Sequence, residues 1–70
     1  MNAKQAILQA MLVNAIIETV IEAKYAPEGP MYAAFMTKGV TLEQFNSLVA
    51  AAVATGRITK RGNMLSAVQS

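Results

Sequence analysis

Three of the six cationic side chains, Arg57, Lys60 and Arg61, fall within five residues, just before the dipeptide Gly62-Asn63. Cations gathered on so short a segment suit contact with phosphates or other anionic groups. Lys4, Lys24 and Lys38 are scattered along the chain. The four carboxylates, Glu18, Glu22, Glu28 and Glu43, include one close pair, Glu18 and Glu22. That i,i+4 spacing lays both on one side of a helix, where such a pair is ordinarily solvated surface and not an acid-base couple. The chain has no Cys and no His, which removes disulfides, thiolate or imidazole metal sites and histidine-based catalysis. There is also no phosphate-binding loop, nucleophile elbow or metal-ligand spacing. The expectation is a protein without catalytic activity, cofactor or metal.

Seventy residues make one domain, 1–70, with room for one small core. A chain of this size buries only about 60% of its unfolded surface and is marginal alone. Apolar residues make up 54% and charged residues 14%, with a net charge of +2. Soluble domains usually carry about 25% charged residues, so some of this apolar surface is expected to face another chain. A homodimer is the economical arrangement.

The elements that must position the basic cluster begin with a helix over 3–24, which has no internal Gly or Pro and has Asn2 as a suitable N-cap. Helical periodicity puts Lys4, Asn14, Glu18 and Glu22 on a narrow stripe, with Ile7 and Met11 beside them. Leu8, Leu12, Val13, Ile16, Ile17 and Val20, with Ala10 and Ile21, sweep over more than half the circumference. A helix packed on a single core shows an apolar stripe only a little over 100° wide. Either this helix is central to the monomer's core or its second face pairs with the same helix of a partner. The width of the arc favours pairing, with Leu8, Leu12, Val13, Ile16, Ile17 and Val20 as the dimer interface. The polar interruptions Gln9, Asn14 and Glu18 argue against a membrane span, and the helical pattern continues to Tyr25 with no signal-peptide cleavage site. A cytoplasmic protein with no membrane partner is expected.

Residues 25–30, Tyr-Ala-Pro-Glu-Gly-Pro, read as a loop in which Gly29 takes a positive φ. A short second helix follows over 31–38, Pro30 at its first turn and Met31, Phe35, Tyr32 and Met36 turned inward. After Gly39, Thr41 caps a third helix, and Gln44 completes a capping box beside the staple residue Val40. Leu42, Phe45, Leu48, Val49, Ala52 and Val53 recur at helical spacing and should pack inward, and Gly56 stops the helix. Ile58 and the stretch Met64, Leu65 to Val68 then read as two short strands joined through residues 60–63.

This order over about 30–68 resembles the helix-turn-helix plus wing of winged-helix domains: short helix, Gly39 turn, capped helix, Gly56, then a hairpin through Asn63-Met64-Leu65. The resemblance implies a mostly α fold of three helices with a small C-terminal β-hairpin, while residues 1–26 lie outside it and are expected, from their apolar arc, to serve for dimerisation. It also implies that the third helix enters the major groove of double-stranded DNA while the hairpin contacts the backbone or minor groove. On this chain the third helix would present Thr41, Glu43, Gln44, Asn46, Ser47 and Ala50. The wing would present Arg57, Thr59, Lys60, Arg61 and Asn63, with Lys38 nearby. Gln and Asn read adenine, but this helix offers no Arg or Lys for guanine. A DNA-binding homodimeric regulator of bacterial or phage type is the first expectation. The alternative is a protein-interaction or assembly module with the same fold, whose basic hairpin is only a solvated, charged edge strand.

Overall fold

The computed structural model describes residues 3–68 and contains three helices and one antiparallel three-stranded sheet, a mostly α fold with a small β part. Helix α1 runs Ala3–Ala23, and its expected cap, Asn2, lies outside the described residues. Strand β1 (Tyr25–Pro27) leads directly into α2 (Glu28–Met36), α3 spans Leu42–Ala54, and β2 (Ile58–Arg61) and β3 (Met64–Ala67) form a hairpin. The sheet order is β1-β3-β2.

Residues 25–30 are therefore not a loop. Ala26 pairs with Leu65 and Tyr25 with Ser66, so the chain leaving α1 becomes an edge strand beside β3. Pro27 fits there because an edge strand has one side without ladder partners. Helix α2 starts three residues earlier than expected, with Pro30 in its first turn, where no intrahelical N–H bond is required. Gly29 lies inside that helix and keeps a negative φ; the left-handed residue is Lys24, at φ 74°, where the chain turns out of α1. Thr37 caps the C-terminus of α2, so Lys38 lies beyond it.

The sheet divides its side chains by alternation. Ala26, Leu65 and Ile58 point inward and are buried, while Tyr25, Arg61 and Thr59 are exposed on the other face. The core lies between this inner face, the second half of α1 (Ile16, Ile17, Val20) and one side of α3 (Phe45, Leu48, Val49, Ala52). Tyr32 and Phe35 of α2 complete it, their rings 5.4 and 5.7 Å from that of Phe45. Met36 and Leu42, both expected inside, are exposed. Met36 is the last residue of α2 and Leu42 the first of α3.

The assignment of α1's faces changes as well. Ile16, Ile17 and Val20 fill the core of the single chain and have no surface left for a partner; Leu12 and Val13 pack against its margin. Of the six residues expected at a dimer interface, Leu8 alone is freely exposed. Ile7 and Met11, outside that expected set, are 61% and 63% exposed, beside Leu8 at 57%. Helix α1 is long and apolar enough to cross a membrane by length and composition, yet its second half is the central wall of the fold.

Lys24 holds a left-handed backbone that costs a residue with a Cβ about 1–2 kcal/mol, against the smaller entropic penalty of a glycine. Lys24→Gly should therefore stabilise the protein by about 0.5–1 kcal/mol, raising the melting temperature by several degrees in a thermal melt followed by circular dichroism. A lower melting temperature would show that the Lys24 side chain itself contributes to the fold.

Candidate nucleic-acid interface

The start of α3 is built by the capping box read from the sequence. The Gln44 backbone N–H donates to Thr41 Oγ1 at 3.1 Å, and the Thr41 N–H donates to Gln44 Oε1 at 2.9 Å. Two N-terminal donors that the helix itself cannot satisfy are thereby paired. The same bonds limit what these side chains offer a ligand. Reading adenine needs the amide oxygen and nitrogen of Gln together, and Gln44 Oε1 is already engaged.

With Phe45, Leu48, Val49 and Ala52 buried, helical geometry puts Glu43, Ser47, Ala50 and Ala54 on the outermost line of α3, with Asn46 beside it. Lys38, Gln44 and Ser47 share an open groove with Leu8 and Leu12 of α1, so the first half of α1 forms one wall beside the expected reading surface. Asn46 lies on the other side of that line.

The hairpin turn is two residues long. Arg61 pairs with Met64, and Gly62 takes φ 58° at the first central position, as a type II′ turn requires. At the other end of β2, Gly56 at φ 82° stops α3 and frees the chain to enter the sheet. Along β2 the alternation turns Thr59 and Arg61 to the outer face, and Arg57 continues that series just before the strand. Arg57, just before β2, and Arg61, at its end, are thus two exposed cations about 13 Å apart if the chain is extended between them.

Lys60 is different. It follows Ile58 on the inner side of the strand, and its Nζ lies 3.0 Å from Glu28 Oε1. The Glu28 N–H donates to the Asn63 carbonyl at 2.8 Å. No side chain caps α2, whose N-cap is Pro27, so Asn63 satisfies one of its first free donors. The hairpin tip is consequently tied down on the start of α2. Asn63 and Leu42 line one small cleft with Tyr32 and Phe45, which brings the tip and the first residue of α3 to the same end of the molecule.

The expected DNA-contacting residues therefore fall into three sets. Lys38, Asn46, Ser47, Arg57, Thr59 and Arg61 are exposed and make none of the cap or salt-bridge contacts described above. Thr41 and Gln44 are exposed but hold the α3 cap, and Lys60 and Asn63 hold the hairpin to α2. Glu28 is the residue that sequence reasoning missed. Its partner is 32 positions away, and only the pairing of β1 with β3 brings the two together.

No family model, curated protein or solved structure matches this chain.

Because Thr41 and Gln44 serve one reciprocal cap, Thr41→Ala should cost about 1 kcal/mol and Gln44→Ala about 0.5–1.5 kcal/mol. The double variant should cost less than the sum, since either change opens the box. Urea denaturation of the four proteins checks this. Strict additivity would mean that the two bonds act independently.

Proposed function

We propose that this chain is a small winged-helix-like protein that binds double-stranded DNA as a homodimeric transcriptional regulator in the cytoplasm, with no catalytic activity. The observation that carries the reading is the arrangement of the elements. A turn-linked helix pair, the second helix capped, is followed by a hairpin inserted as β1-β3-β2, with Arg57 and Arg61 on its open face. Arg57, Arg61 and Lys38 contact phosphates, while Asn46 and Ser47 approach base edges from the exposed side of α3. Lys60 contributes only when it leaves Glu28. Three such cations per chain are few, so a monomer binds weakly and a dimer doubles the count.

One observation favours a second reading. The outer line of α3 is Glu43, Ser47, Ala50 and Ala54, whose small side chains let another helix approach closely and whose single charge repels phosphate. In that reading the same fold is a protein-interaction or assembly module, and the basic hairpin keeps the edge strand β2 soluble.

Fluorescence anisotropy with random and selected duplexes at two salt concentrations separates the two. Under the DNA reading, Arg57→Ala and Arg61→Ala each weaken binding to every sequence and lower the salt slope by about one. Glu28→Gln releases Lys60 and strengthens binding at low salt. Absence of binding at about 50 mM salt, where screening is weak, would favour the assembly module.

A further inference from the structure

The side of α1 opposite the core carries an ordered sequence of charge and apolar surface. At about 100° per residue, Lys4, Ile7, Met11, Glu18 and Glu22 lie within about 60° of one another. They point away from Ile16, Ile17 and Val20, and all five are exposed. The stripe thus runs from one cation, through two large apolar side chains, to two carboxylates. Among the described residues, none covers it.

A stripe with opposite charges at its two ends is complementary to itself only when reversed. Two copies of α1 laid antiparallel about a two-fold axis through Met11 place Lys4 of each chain opposite Glu18 of the other. Each of these residues is seven positions from Met11, about 10.5 Å along the helix. In the same register Ile7 faces Ala15 of the second copy, a large side chain against a small one, and Glu22 lies one turn beyond the ion pair. A parallel arrangement sets Lys4 beside Lys4 and Glu18 beside Glu18. The core side of the helix already holds the rest of the domain and stays out of the contact.

We infer that the chain dimerises through this outer stripe, as an antiparallel pair of α1 helices centred on Met11 and closed by two Lys4–Glu18 ion pairs. The inference rests on the homodimer half of the proposed function and replaces the face that helical periodicity had indicated. Two paired helices bury a modest area, at or below the lower end of stable interfaces. The dimer is therefore a concentration- and salt-dependent one.

Sedimentation velocity of the full chain across about 1 µM to 1 mM tests this. The wild-type protein should show a monomer–dimer equilibrium. Lys4→Glu should weaken it by about tenfold or more, since both ends of the stripe then repel. The double variant Lys4→Glu/Glu18→Lys should restore it, with unchanged circular dichroism throughout because both positions are exposed. A dimer indifferent to Lys4→Glu would overturn the antiparallel face while leaving a dimer as such standing. A wild-type monomer across the whole range would overturn both, without bearing on DNA binding by the single chain. Co-sedimentation of a wild-type monomer with phosphatidylcholine vesicles would assign the stripe to a lipid surface and overturn the inference.

Discussion

Everything in this fold depends on the second half of α1 serving as the wall against which the other elements close. Ile16, Ile17 and Val20 have at most 1% exposure and meet the inner face of a sheet whose strands are three or four residues long. A sheet that small has little stability of its own. It persists because Ala26, Leu65 and Ile58 are buried between α1 and α3. That constraint also leaves the outer side of α1 uncovered, with Ile7, Leu8 and Met11 exposed there.

The sequence was most legible where the signal is local. The Thr41–Gln44 box, the buried positions of α3, the Gly56 stop and the Gly62-Asn63 turn each rest on residues within a few positions of one another. Less was legible where partners are distant. Strand β1 is three residues long and contains Pro27, so only its pairing with Met64 to Ser66 reveals it. The Glu28–Lys60 contact depends on that same pairing. The core side of α1 was obscured for another reason: the apolar arc holds the exposed Leu8 together with the buried Ile16, Ile17 and Val20, and hydropathy alone does not say which part of so wide an arc the single chain covers.

The candidate interface carries a division of labour that composition conceals. Side chains suited to recognition, Thr41, Gln44 and Lys60, also maintain the cap of α3 and the anchorage of the hairpin. In a domain this small, few polar groups exist to do both tasks. These side chains are exposed, so what limits them is that each must give up a bond within the fold before it can serve a ligand. The groups left over, Arg57 and Arg61 on the hairpin, Lys38 after α2, and Asn46 and Ser47 on α3, are the thin set on which the proposed DNA recognition rests. The proposed function asks a second copy to double it.

The most direct measurement of that account is an amide nitrogen–proton correlation titration of the labelled protein with a short duplex at low salt. The account predicts shifts concentrated at Lys38, Asn46, Ser47 and the stretch from Arg57 to Arg61, in fast exchange and reversed by added salt. A spectrum that stays unchanged, or shifts confined to the outer side of α1, would contradict it.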